Sequence, residues 1–237
     1  MITLQTYRLE PHIAANATHE RLNTEWLREA VNKLMRMERK SLEEAGADVT
    51  HFFNHSPKSK NPSIRYPLII YHYIKGIFYI TGINEGATSL SLLAKRFNTP
   101  FSINDLMFQG FELERSLVKF DLCSVSNPIL YKMTEWLPVH HDFETAFSEK
   151  NMLEKVNELN KKLGIHLSGE LGKYLGIDFV NLNAVITDIT RVYPDPVIYK
   201  GYKYPAYDIR FTANVLLPEM ITLGNIKALG FGRVEAL

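Results

Sequence analysis

The apolar and polar positions change period several times along the chain, and each change predicts an element. Residues 2–9 alternate loosely, as a first strand with one buried face does. From about Asn23 to Glu44 the period becomes helical. Leu27, Val31 and Leu34 lie on one stripe at i, i+4 and i+7, while Arg28, Asn32, Arg36 and Arg39 share another. Gly46 is placed to close that helix. A loop rich in His, Asn, Ser, Pro and Lys then runs from about Ala47 to Ser63. Alternation returns over Ile64–Ile74 and Ile77–Ile83, and Lys75-Gly76 between them has the composition of a tight hairpin turn. Asn84 is suited to cap a second helix with the apolar stripe Leu90, Leu93, Ala94 and Phe97. Strand-like segments fill 101–125.

The predicted order, β-α-β-β-α-β, is that of a ferredoxin-like (RRM-like) layer of helices on an antiparallel sheet. Around Asn127-Pro128 the pattern restarts. A strand near Ile129–Val139 precedes a helix from about Asp142 to Leu163, with Leu153, Val156 and Leu163 on its inner stripe. From Leu175 to the end the chain is β-rich, punctuated by Pro194, Pro196, Gly201 and Pro205, and 164–178 fits neither template. The expectation is an α+β protein of two tandem ferredoxin-like domains, 1–126 and 127–237, the second degenerate and β-rich.

Composition narrows the class. Hydrophobic residues make up 46% and charged residues 22% of 237, which suffices for a soluble globular core. A single cysteine, Cys123, can form neither an internal disulfide nor a four-cysteine zinc site, which fits a reducing compartment. No apolar run is long enough to span a membrane, and the start MITLQTYRLEPH carries an acid and a proline where a secretory segment runs unbroken. A cytoplasmic protein with no membrane partner is expected.

The net charge of +1 hides an uneven distribution. Between Asp48 and Glu85 there is no carboxylate, while Lys58, Lys60, Arg65 and Lys75 accompany His51, His55 and His72 and the rings of Phe52, Phe53, Tyr66, Tyr71, Tyr73, Phe78 and Tyr79. Cations interleaved with rings suit a phosphate chain with stackable bases. The strand rings are read as sheet packing and the loop cations as RNA contacts.

The end, LGNIKALGFGRVEAL, sets Lys227 among Gly224, Gly230 and Gly232, just before Arg233. Leu229 stands where a P-loop needs glycine, and no Gly-Lys-Ser/Thr follows. Such a turn still lets backbone N–H groups approach phosphates closely. Other chemistries find less support. His51 and His55 are four apart but lack the glutamate and the helix of a zinc protease. His140-His141-Asp142 stands without a further ligand cluster, no Gly-x-Ser-x-Gly elbow occurs, and Cys123 has no matching histidine signature. No metal and no cofactor are expected.

Phe53-Asn54-His55, then Arg65-Tyr66-Pro67-Leu68-Ile69, a hairpin, and Gly82-Ile83-Asn84-Glu85-Gly86 resemble the amino-terminal signature of the CRISPR repeat-processing endoribonucleases, the Cas six family, in its b-type branch. Leu229-Gly230-Phe231-Gly232-Arg233-Val234 resembles that family's glycine-rich loop. The resemblance implies two ferredoxin-like domains, CRISPR repeat RNA as substrate, and metal-independent cleavage. Attack by a 2′-hydroxyl would leave a 2′,3′-cyclic phosphate and a 5′-hydroxyl. It also implies subunits of a CRISPR effector complex as partners, with a homodimer left open.

Histidine suits the proton transfers because its pKa of about 6.5 lies near neutrality. The branch often offers Phe-His-Asn-His. Here Phe53 takes the first histidine's place, His55 matches the second, and His51 lies just upstream. The candidate catalytic residues are His55 and His51, with Lys58 and Tyr66 as substitutes for the second; which group is acid and which base stays open. The candidate RNA contacts are Lys58, Lys60, Arg65, Tyr66, Arg28, Arg36, Gly224, Lys227, Gly230, Gly232 and Arg233. His72 is read as structural. Phe53 supports the alternative, a non-catalytic RNA-binding subunit of a CRISPR complex.

Overall fold

Leu27, Ala30, Val31 and Leu34 form one fully buried stripe, and that stripe seats the first helix on its sheet. The computed structural model describes residues 1–13, 23–52, 66–103, 106–139, 147, 149–175, 179 and 181–237. They group into two units, Met1–Phe120 with Ala228–Gly230, and Asp121–Lys227 with Phe231–Leu237.

The first unit runs β1 (Ile2–Ile13), α1 (Thr24–Met37), α2 (Arg39–Glu44), a 3₁₀ turn (Val49–Phe52), β2 (Ile69–Ile74), β3 (Ile77–Ile83), α3 (Glu85–Ala94), β4 (Phe101–Ile103) and β5 (Leu106–Phe120). Its antiparallel sheet has the order β2-β3-β1-β5-β4. Apart from the edge strand β4, this is the order a β-α-β-β-α-β chain adopts in a ferredoxin-like fold. Tyr7 and Leu9, Ile69 and Tyr71, and Phe78 and Ile80 alternate onto the buried face. There they meet α1 and α3, with Trp26 stacked on Phe78 at 5.6 Å.

Two local expectations are corrected. The helix expected over Asn23–Glu44 is two helices, because the chain leaves helical geometry at Glu38 (φ −96°, ψ 6°), whose carboxylate pairs with Arg96 at 3.4 Å. Asn23 caps α1, accepting from the Trp26 N–H at 2.9 Å. Asn84 does not cap α3. With φ 49°, it accepts from the Thr3 N–H at 2.9 Å and donates its own N–H to the Thr3 carbonyl at 2.8 Å, so it brackets β1 instead.

The second unit runs β6 (Ser124–Trp136), α4 (Met152–Gly164), a π-helix (Ile165–Gly172), β7 (Ala184–Val192), a ribbon of β8 (Val197–Tyr199) and β9 (Tyr202–Tyr204), β10 (Tyr207–Val215) and β11 (Arg233–Ala236). The sheet order β11-β6-β10-β7 is again ferredoxin-like. Asn127-Pro128 lies inside β6, where the register with β10 shifts; a proline costs no ladder bond at such a bulge.

The inner stripe of α4 also differs from expectation. Asn151 and Glu154 form a capping box, so the helix starts there and Leu153 falls on its first, solvent-facing turn, 71% exposed. Leu159 and Leu163 are the buried residues. The π-helix explains why 164–178 fits no template: its wider turn shifts side chains off the 3.6-residue period. Both units are mixed α/β layers on antiparallel sheets, and the fold is two ferredoxin-like domains in tandem.

Candidate functional site

His55, Lys58, Lys60 and Arg65 lie outside the described residues, as do Phe53 and His140-His141-Asp142. His51 is described, on the 3₁₀ turn that leads into the cation-rich segment. Its ring is held on both edges: Nδ1 lies 3.0 Å from the Ser89 hydroxyl on α3, and Nε2 lies 3.5 Å from Asp48 Oδ2. Ser89 Oγ also accepts the Asp48 N–H at 3.2 Å, so the three residues brace one another. The Thr50 hydroxyl donates to Asp48 at 2.6 Å and holds that carboxyl below the usual range. The weaker contact is the one at Nε2. Neither Asp48 nor Ser89 carries a sequence signal, because Ser89 is remote in the chain and reads as an ordinary helix position.

Tyr66 is buried, 3% exposed, which makes it a packing residue and not an open face for a base. Arg28 and Arg36 lie on α1 along a shallow depression they share with Glu25, Glu29, Asn32 and Lys33. Arg28 sits near the buried Tyr71 hydroxyl, whose pKa is raised by burial and eased by that guanidinium. His72 is buried, as a structural histidine would be.

The glycine-rich segment is a tightly packed turn. A β-carbon at Gly232 (φ 71°) would overlap the Leu223 carbonyl oxygen, and one at Gly224 (φ 101°) would lie 2.8 Å from the Trp136 ring. Gly230 groups with the first unit, where a β-carbon would lie 2.7 Å from the Tyr71 carbonyl oxygen. Arg233 is half-buried on β11, pairs with Glu235, and faces Thr134 in register. Ile226 holds φ 54°, which for a β-branched residue stores on the order of 1–3 kcal/mol of strain.

Lys227 turns inward. Only 6% exposed, its ammonium pairs with Glu170 on the π-helix and donates to the Gly224 carbonyl at 2.7 Å. His166, one π-helical turn from Glu170, accepts at Nδ1 from the Trp136 indole N–H at 3.2 Å. Burial, then Lys227 and Lys162, lower its pKa to about 3, so the ring is neutral and carries its proton on Nε2. That edge faces Glu170 Oε1 at 4.0 Å, too far for a hydrogen bond and, with a neutral ring, not an ion pair. The misfit of 164–178 was the only sequence sign of this cluster.

Two ferredoxin-like sheets in tandem, the second closed by a glycine-bounded turn, define the class to which known proteins can be compared. Residues 123–237 match the family model of the Cas6b C-terminal domain. No curated protein sequence matches the chain. A crystal structure of Cas6b shares the fold over 100% of both chains, with a TM-score of 0.71 and 17% identity. A structure of the CRISPR RNA processing endoribonuclease Cas6b does so with a TM-score of 0.63 and 15% identity. Csf5, a type IV CRISPR-Cas Cas6 crRNA endonuclease, follows at 0.57 and 14%, also over 100% of both chains. At these identities the likeness is one of fold. Among the described residues no helix is long and apolar enough to cross a membrane.

Proposed function

We propose that the chain is a metal-independent endoribonuclease that cuts CRISPR precursor RNA within its repeats. One observation carries the reading: residues 123–237 match the Cas6b C-terminal domain in a chain whose whole length shares the fold of Cas6b structures, one of them described as a CRISPR RNA processing endoribonuclease. The acid-free, cation-rich segment between Asp48 and Glu85 supports it.

In this mechanism a ribose 2′-oxygen bonds to the adjacent phosphorus while the bond to the 5′-oxygen breaks, leaving a 2′,3′-cyclic phosphate and a 5′-hydroxyl. One proton leaves the 2′-hydroxyl and one reaches the departing oxygen. The nucleophile is already tethered to its target, so the protein needs only to align it, move the protons and offset charge on the phosphorane. His55 and His51 are the proton carriers, His51 through the Nε2 edge that lies 3.5 Å from Asp48. Lys58, Lys60 and Arg65 hold phosphates near the cut, with Arg28, Arg36, Arg233 and the turn around Gly224, Gly230 and Gly232 extending the path. Subunits of a CRISPR effector complex are the further partners this reading implies.

The test is cleavage of the chain's own repeat RNA in excess EDTA, with analysis of the product ends. Cyclic phosphate and 5′-hydroxyl ends are expected, and a substrate with 2′-deoxyribose before the cut should bind but stay whole. Loss of cleavage on chelation, restored by Mg²⁺ or Mn²⁺, overturns the mechanism. Binding without cutting by the wild type favours the non-catalytic RNA-binding subunit, the reading that Phe53 supports.

A further inference from the structure

Polar groups of the second unit gather around its terminal turn. Gly224 lies against the Trp136 indole, Trp136 donates to His166, His166 faces Glu170, Glu170 pairs with Lys227, and Lys227 donates back to the Gly224 carbonyl. The Lys227 carbonyl is also held, accepting from the Thr222 hydroxyl at 3.0 Å. Asn225 is fixed from the other side, its backbone and side-chain N–H groups both donating to the Leu137 carbonyl, at 3.0 and 2.9 Å. Every anchor therefore acts on the turn that begins at Gly224.

That turn is strained. Ile226 at φ 54° follows Gly224 at φ 101°, and a β-branched residue keeps such a conformation only where its surroundings over-determine it. Packing of Ile226 on Leu137, Tyr204 and Ala206 supplies part of the constraint. The Lys227–Glu170 pair supplies the rest. A buried ion pair is a poor source of stability, since apolar residues of the same volume often do as well, but it fixes direction as they cannot. The acceptor sits on a π-helix, a form that recurs at functional sites.

We propose that Lys227 is a positioning residue: through Glu170 it holds the Gly224–Lys227 turn in the shape that meets RNA phosphates with backbone N–H groups, without touching phosphate itself. The inference rests on the endoribonuclease reading only in naming repeat RNA as what the turn meets. A neutral His166 lets Glu170 give its charge to the lysine alone.

The experiment compares wild type with the double variant Lys227→Met/Glu170→Gln, which leaves no lone buried charge. Melting, affinity for repeat RNA across a salt series, and single-turnover cleavage at saturating RNA are measured. The double variant is expected to melt near the wild type, to bind about tenfold more weakly with an unchanged salt slope, since the turn's N–H contacts carry no cation, and to cleave at an unchanged saturated rate. Lys227→Arg keeps a cation opposite Glu170 and is expected to recover most of the affinity that Lys227→Met loses. It decides the matter if the double variant melts low. Wild-type affinity in the double variant, or a salt slope shallower than the wild type's, overturns the positioning role and leaves the endoribonuclease reading intact, as does Lys227→Arg binding no better than Lys227→Met. Weaker binding by the variant, with a wild type that binds but never cuts, supports positioning and overturns the endoribonuclease.

Discussion

The Trp136 indole N–H donates to His166 Nδ1 at 3.2 Å, which commits a buried imidazole to the neutral form with its proton on Nε2. The consequence for stability has a definite sign. The folded pKa is lowered to about 3 from 6.5, chiefly by burial, so the unfolded chain takes up the proton first as the pH falls. Above pH 6.5 the group is neutral in both states and has no effect. Stability is lost progressively from there down toward pH 3, by about 2 kcal/mol at pH 5. His166→Gln, which keeps an acceptor for the indole, should flatten the acid limb of a plot of urea midpoint against pH. An unaltered limb in that variant assigns the loss to other groups.

Gly232 tests how much of the terminal turn is packing. A β-carbon there meets the Leu223 carbonyl at positive φ, so Gly232→Ala combines a left-handed alanine with a clash against backbone that cannot rotate away. The cost should be at least about 2 kcal/mol, read as a lower denaturant midpoint. Because the Gly232 N–H donates to the Thr134 and Glu135 carbonyls, both at 3.1 Å, the β11–β6 pairing should loosen first in amide exchange. A variant with wild-type stability would mean that the turn yields more easily than its packing implies.

The parts of the fold that repeat at short range were legible. The stripe of Leu27, Val31 and Leu34 and the hairpin at Lys75-Gly76, both residues at positive φ, follow from local pattern and turn chemistry. The failures share a physical cause. Asn84 has the side chain of a cap, but tertiary bonds to Thr3 take it. Leu153 has the residue type of a core position, but the capping box at Asn151 sets the helix start so that it faces out. The π-helix has a period that matches neither the 3.6-residue helix nor the two-residue strand, and Trp136, His166, Glu170 and Lys227 meet only after the chain has folded. A lysine between glycines reads as a phosphate contact until its partner is seen.

The cation-rich segment is tested through salt. Each phosphate contact removed should reduce the dependence of log affinity on log salt by about 0.7 for a single strand. Replacing Lys58, Lys60 and Arg65 together by alanine should weaken binding to repeat RNA and flatten that slope, with melting unchanged. An unchanged slope moves the phosphate path to Arg28, Arg36 and the terminal turn.

The histidines carry the enzymatic reading, and their roles separate in single-turnover kinetics. A group that moves a proton in the transition state contributes about 10²–10⁴-fold, so His55→Ala should lose roughly that factor while affinity for the repeat holds. His51 starts from a different position, since Ser89 and Asp48 already fix its ring. If it is the second carrier, His51→Ala should fall by a comparable factor, and the double variant by less than the product, because the two act on one step. Asp48→Asn then supplies the check on mechanism. It removes the carboxylate beside Nε2, so it should slow cleavage, whereas a merely bracing Asp48 would alter melting alone. A silent His51→Ala hands the second role to Lys58. Cleavage by His55→Ala at the wild-type rate would place the active site elsewhere in the chain.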